Sequence, residues 1–303
     1  MRTLNAAETA AALPYGALVE ALLQMFERER RGEAHAATRT SVPLAGGGAL
    51  LLMPAADARF AALKTVTVHA GNAGLGLPVV QGEVTLMDAA TGTRLLAMDG
   101  NVLTARRTAA LSLAGAARAG RHVGGRMLLI GAGVQARSHA EAFAEIAGVR
   151  RLWIHARTPA HAEQLAQHMR TLGVDAGTID DPAQVSEEAD VIVATTNSSV
   201  PVVPSRVRPG ATVIAVGAYR ADMAEVPPEL VRRCAVFVDT LEGARSEAGD
   251  LIQAGIDWSD VQASTNAKAE LAMQERPVLI KTVGHALWDL AAAQLAYTHQ
   301  QQR

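Results

Sequence analysis

The spacing of apolar residues changes character along the chain. Residues 15–31 carry Leu18, Ala21, Leu22, Met25 and Phe26 at helical spacing, which predicts an amphipathic helix. Strand-like runs follow at 49–53, 61–69, 81–88 and 93–99, separated by Gly46-Gly47-Gly48, Gly71-Asn72 and Thr91-Gly92. That pattern predicts a mainly antiparallel α+β region. Residues 104–119 are helical and rich in small side chains, as suits a connector between domains. Beyond Gly125 the rhythm becomes strand and helix in alternation: strand 127–131, helix 134–146, strand 151–155, helix 159–172, then strands 191–195, 212–216 and 236–239. Such alternation predicts an α/β, doubly wound parallel sheet of the Rossmann kind with helices on both faces. A last helix is predicted over 282–297.

The turn after the first of these strands carries chemistry. Met127-Leu128-Leu129-Ile130 runs straight into Gly131-Ala132-Gly133-Val134-Gln135-Ala136, a G-x-G-x-x-A pattern opening a helix. Gly131 allows the tight turn, Gly133 lets a pyrophosphate approach the backbone, and Ala136 lets helix and strand pack closely. The helix start offers free N–H groups and a positive dipole end. A strand before, a helix after and a second strand ending at His155 complete the βαβ unit that this motif needs. An NAD site normally has an acid after that second strand, to hold the ribose 2′-hydroxyl. Here Arg157 and Thr158 stand instead, a cation and a hydroxyl suited to a 2′-phosphate, so NADP(H) is expected over NAD(H). Thr195 and Thr196, and Val216 and Gly217, end the next two strands where a nicotinamide would lie. Thr108 is also expected among the cofactor contacts.

Composition narrows the partners. The 303 residues fit two domains of roughly 100–200 residues each, and 49% hydrophobic against 19% charged residues supplies ample core. A net charge of -2 and 3% aromatics leave neither a basic footprint nor stacking surfaces for nucleic acid, nor a patch for anionic membrane. No leader or spanning run is evident, so a cytoplasmic enzyme of small molecules is expected. The nine histidines show no metal spacing; His161 and His168 are expected on a solvated helix face, and no metal is predicted. The single cysteine, Cys234, opens an apolar run and is expected as a small buried hydrophobe rather than a nucleophile. Lys64 interrupts Phe60-Ala61-Ala62-Leu63 and Thr65-Val66-Thr67-Val68, and a lysine in a half-buried strand needs an anionic partner or a depressed pKa.

Several segments together resemble the ornithine cyclodeaminase and mu-crystallin family. They are Thr38-Arg39-Thr40, Ala62-Leu63-Lys64-Thr65-Val66, Asp88 with Thr91-Gly92, Met98-Asp99-Gly100, and Leu103-Thr104-Ala105-Arg106-Arg107-Thr108-Ala109-Ala110. Ile130 to Ala136, Glu247-Ala248-Gly249-Asp250-Leu251 and Asp289-Leu290-Ala291-Ala292-Ala293 complete the set. The resemblance implies a discontinuous α+β domain for substrate binding and dimerisation, at 1–113 plus 280–303, around a Rossmann domain at 114–279. It also implies a homodimer. By the same resemblance Arg39, Lys64 and Arg107 hold the substrate carboxylate and carry the catalysis; singly, such a cation is more often a surface charge, a reading that Lys64 escapes because it interrupts an apolar run.

One departure from the family matters. Ornithine cyclodeaminases carry an acid after the fifth Rossmann strand, six positions before a Glu; counting back from Glu225 places Tyr219 there, within the substrate set. Reducing a preformed cyclic imine needs a hydride and one proton, whereas deaminative cyclisation also needs a base for the amine. The expectation is therefore an NADPH-dependent reductase of cyclic ketimine carboxylates. Ornithine cyclodeaminase, with Asp222 replacing the missing acid, an alanine-type amino-acid dehydrogenase and a non-catalytic NADPH carrier stay open.

Overall fold

The computed structural model describes residues 1–266 and 275–302. The chain divides into two compact units, Met1–Arg107 with His285–Arg303, and Thr108–Gly284.

The first unit opens with β1 (Arg2–Leu4), α1 (Ala6–Ala12) and α2 (Tyr15–Arg30). Asn5 and Glu8 cap α1 reciprocally, side chain to backbone in both directions. α2 follows the predicted periodicity and buries Tyr15, Leu18, Leu22, Met25 and Phe26. Next come β2 (Ala34–Ala36), β3 (Thr40–Leu44), β4 (Gly48–Asp57), β5 (Phe60–Val68), β6 (Val80–Asp88) and β7 (Arg94–Asp99). They form one sheet in the order β1-β7-β6-β5-β4-β2, with β3 also on β4; only the β1–β7 pairing is parallel. The C-terminal helix, Ala286–Gln301, packs on this sheet and on α2, where Trp288 meets Phe26 edge to face at 4.9 Å. Helix α3 (Gly100–Arg118) contains the division between the units.

The second unit runs β8 (Gly125–Ile130), α4 (Val134–Ala142), β9 (Val149–His155), α5 (Pro159–Thr171), β10 (Asp175–Thr178), β11 (Val191–Ala194), β12 (Thr212–Ala215) and α6 (Pro228–Arg233). It continues through β13 (Ala235–Val238), α7 (Leu241–Glu247), α8 (Gly249–Ala254), β14 (Gln262–Ala263) and β15 (Val278–Lys281). All pairings are parallel, in the order β10-β9-β8-β11-β12-β15-β13-β14. The first five positions give the doubly wound order with its reversal between β8 and β11, where such sheets bind dinucleotides. β11, β12 and β15 are buried along their whole length, which explains their unbroken apolar character.

Some elements differ from expectation. The strand expected at 49–53 runs on to Asp57, and the helix expected at 134–146 becomes a π turn at Phe143–Ala147, closed by Gly148 at φ +73°. The last helix begins at Ala286 rather than at 282, because Val278–Lys281 is a strand that the expected domain limit at 279/280 would cut. β15 inserts between β12 and β13, a placement without a local signal. Among the described residues, no single helix is long and apolar enough to cross a membrane.

Candidate active site

In the second unit, β8 delivers its buried Met127-Leu128-Leu129-Ile130 run into Gly131, whose φ is +122°. A Cβ there would stand 2.6 Å from the Thr195 hydroxyl oxygen, so only glycine lets the turn pass the end of β11. Gly133 is the extended N-cap of α4; it is exposed, and a Cβ on it would meet nothing within 4 Å. No side chain caps the first turn of α4, which leaves its N–H groups and dipole end for a ligand phosphate. Ala132 and Gln135 are half-buried, Val134 is exposed, and Ala136 is fully buried against the sheet. These features fit a dinucleotide pyrophosphate.

Arg157 and Thr158 lie exposed beyond β9, with Thr158 as the N-cap of α5 and no acid beside them. Thr196 follows Thr195 at the end of β11, and Val216 and Gly217 follow β12. Glu225 binds both strand ends: its carboxylate accepts from the Thr196 N–H, from the Thr196 hydroxyl at 2.9 Å and from the Gly217 N–H at 2.6 Å. Thr108 is buried on α3, where its carbonyl accepts from Ser112.

Tyr219 is 46% exposed in the loop after β12. Asp222, the acid that would have to replace the cyclodeaminase carboxylate, is exposed and doubly hydrogen-bonded by Arg220 at 2.9 Å. Arg220 holds its carboxyl below the ordinary range. Of the two histidines expected on a solvated face, His161 is exposed but His168 is half-buried against Glu141, Nε2 to Oε1 at 2.8 Å. Cys234 is buried, and burial pushes its thiol up to about 12, as a small core residue requires. Among the described residues no three His, Cys, Asp or Glu side chains converge on a metal site.

In the first unit, β5 alternates faces and places Lys64 inward, 4% exposed. Its Nζ lies 2.8 Å from Oδ2 of Asp289 on the C-terminal helix, and Arg107 Nε donates to Asp289 Oδ1 at 3.0 Å. Thr104 Oγ1 stands 3.5 Å from the same Nζ. Burial lowers Lys64 to about 8; Asp289 opposes the shift, while the charges of Arg107 and Arg39 add to it. Asp289 is pushed up by burial, but Lys64 and Arg107 outweigh this and hold it below the ordinary carboxylate range. The structure thus pairs Lys64 and Arg107 on one carboxylate and brings Arg39 within electrostatic reach of Lys64. Two cations, Lys64 and Arg107, against the one carboxylate of Asp289 make a setting that suits an anionic ligand.

Asp289 is absent from the sequence-derived candidates. Its signal is an acid within the apolar run Ala286-Leu287-Trp288-Asp289-Leu290-Ala291, which a helix can bury only with a partner.

Comparison with known proteins identifies the family and the fold. The sequence profile of the ornithine cyclodeaminase/mu-crystallin family matches residues 2–302. Δ1-Pyrroline-2-carboxylate reductase 2 of Burkholderia ambifaria is 39% identical over 292 residues, covering 96% of this chain and 94% of the relative. Ketimine reductase mu-crystallin of Mus musculus is 37% identical, covering 92% and 90%. The structure of Thermococcus litoralis Δ1-pyrroline-2-carboxylate reductase in complex with NADH and L-proline superposes with a TM-score of 0.89 at 28% identity, over 100% of this chain and 98% of that one.

Proposed function

The chain belongs to the ornithine cyclodeaminase/mu-crystallin family, and from that premise we propose that it reduces cyclic ketimine carboxylates, of the Δ1-pyrroline-2-carboxylate and Δ1-piperideine-2-carboxylate type, to L-proline and L-pipecolate. The observation that carries this reading is the buried pairing of two cations, Lys64 and Arg107, on the one carboxylate of Asp289.

When bound, the nicotinamide cofactor supplies the hydride. Arg39 and Arg107 hold the substrate carboxylate, the arginine fork matching its two oxygens. The Lys64 ammonium supplies the proton that the ring nitrogen gains as its carbon takes the hydride, so that C=N becomes CH–NH and the charges balance. Asp289 keeps that ammonium charged and in place. A proton donor that titrates at about 8 suits this chemistry, because Brønsted behaviour favours a pKa near the working pH. A pure carrier of NADPH has no use for such a group. Cyclodeaminase chemistry is disfavoured because Tyr219 stands where the acid is needed and Asp222 is tied to Arg220.

NADPH is the preferred donor in this reading, supported by Arg157 and Thr158 and by the missing acid. The test is a panel of both cyclic imines, ornithine, and pyruvate with ammonia, each run with NADPH and NADH. NADPH oxidation with the imines is expected; no turnover on either ring sinks the proposal.

We further propose that the active form is a homodimer built through the open face of the first sheet. Met53, Ala55 and Asp57 of β4 are buried, while the alternating Leu52, Pro54 and Ala56 are only half-buried, as are Leu63 on β5 and Met87 on β6. Several of these line an apolar hollow of about 490 Å³. A face this apolar is suited to a second copy of the same sheet.

A further inference from the structure

The Glu247-Ala248-Gly249-Asp250-Leu251 motif is not used by the proposed chemistry, yet its acid is fully buried. Asp250 is 1% exposed; its Oδ1 accepts from the Glu225 N–H and, at 2.8 Å, from the Val226 N–H, while its Oδ2 lies 3.0 Å from Lys281 Nζ. Lys281, the last residue of β15, is 0% exposed and also donates to the Ala215 carbonyl at 3.3 Å. Glu225, itself 0% exposed, accepts from Thr196 N–H and Oγ1 and from the N–H groups of Gly217 and Ala218. Its backbone carbonyl takes the N–H groups of Val202 and Val203 at 2.8 and 2.9 Å. One buried chain of charge therefore runs from β15 through α8 to the carboxyl ends of β11 and β12.

Two glycines make room for it. A Cβ on Gly217 would stand 1.7 Å from the Thr196 carbonyl oxygen, and one on Gly249 would stand 2.0 Å from the Met223 carbonyl oxygen. Both contacts are with backbone, so neither could be relieved by turning a side chain. Burial pushes the Glu225 carboxyl upward, against the pull of Lys281 and the surrounding N–H donors. Desolvating two carboxylates and an ammonium is costly, and such a network stabilises less than apolar packing of the same volume unless it specifies a geometry.

We propose that Glu225, anchored by Asp250 and Lys281, is a positioning residue that sets the ends of β11 and β12 for the nicotinamide half of the cofactor. This rests on the dinucleotide-binding reading of the second unit and not on the identity of the imine. The pyrophosphate turn at Gly131 to Ala136 makes no hydrogen bond to Glu225, so loss of the carboxylate separates the two halves of the cofactor.

The test is Glu225→Gln in the full chain, whose amide turns an N–H pair toward backbone N–H donors that the carboxylate had satisfied. Binding of NADH or NADPH is followed by cofactor fluorescence, and binding of the matching ADP-ribose fragment, which lacks nicotinamide, by competition. The expected result is a Kd for the whole cofactor raised about tenfold or more, with the fragment's Kd moved by less than about twofold, at unchanged secondary structure by circular dichroism. Equal weakening of both ligands would mean a merely structural role and overturn the proposal; an unchanged cofactor Kd would also overturn it. Asp250→Asn keeps an acceptor oxygen for the Glu225 and Val226 N–H groups but drops the charge facing Lys281. It is expected to show the same split more weakly, and it decides the matter if Glu225→Gln does not fold. No imine is needed in these titrations, so their failure is distinct from failure of the imine reductase reading.

Discussion

Lys64 titrates at about 8, within the range in which an enzyme is assayed, and the sign of its effect follows from its role. The ammonium is needed to reduce the imine, so kcat/KM for reduction is expected to fall as pH rises through about 8. Oxidation of the cyclic amino acid needs the free amine and is expected to rise through the same limb. Asp289 pulls this pKa up while Arg107 and Arg39 press it down. Asp289→Asn therefore removes the supporting charge, and the limb is expected to move below 8 in a pH–rate profile. An unmoved limb would exclude Lys64 as the titrating group. Lys64→Ala is expected to lower kcat about 100-fold or more, the usual weight of a lost proton donor. At the other end of the cofactor, Arg157→Ala is expected to cost about tenfold in kcat/KM with NADPH and little with NADH. Equal losses with both would assign Arg157 no part in the choice.

Helix α4 shows how one element serves both binding and folding. Its first turn is left open for phosphate, while its sixth residue, His139, is buried, with Nδ1 2.8 Å from the Gln135 carbonyl and Nε2 2.9 Å from Ser112 Oγ on α3. Burial lowers His139 from its ordinary value to about 4. The unfolded chain then binds more protons than the folded one between about 6.5 and 4, so this residue costs stability as pH falls through that window. Denaturant midpoints measured at pH 7 and pH 5 are expected to decline toward pH 5, and the decline is expected to flatten in His139→Asn. The strand ends obey a stricter rule. Gly217→Ala would drive a Cβ into the Thr196 carbonyl, and a large loss of soluble, folded protein is expected on expression.

At the scale of the whole molecule, the half-buried apolar face of Leu52, Pro54, Ala56, Leu63 and Met87 is the surface proposed to meet a second copy. Leu63→Asp would place a charge in the proposed interface, and sedimentation velocity is expected to show dimers for the parent chain and monomers for the variant. A dimer that survives the change would move the interface elsewhere. The two-unit organisation also shows what local pattern misses. The helical stripe of α2, the alternation of β5 and the fingerprint before α4 are written in neighbouring residues and were readable directly. The three-residue strands β1 and β2, the two-residue β14 and the short helices α6, α7 and α8 carry too few periodic positions to be recognised.

By itself the sequence determined the dinucleotide turn, the odd placement of Lys64 in an apolar strand and the absence of an acid after β9, because turn geometry, strand alternation and side-chain chemistry are local. Arg39 and Arg107 as site residues, and Tyr219 in place of an acid, followed only from the resemblance to a known family. Only the tertiary structure decided that Asp289 pairs with Lys64 and Arg107, that β15 lies between β12 and β13, and that Glu225, Asp250 and Lys281 form one buried chain. These pairings join residues far apart along the chain. A buried charge must be compensated by whichever partner the packing brings to it, and no spacing within a single segment encodes that partner.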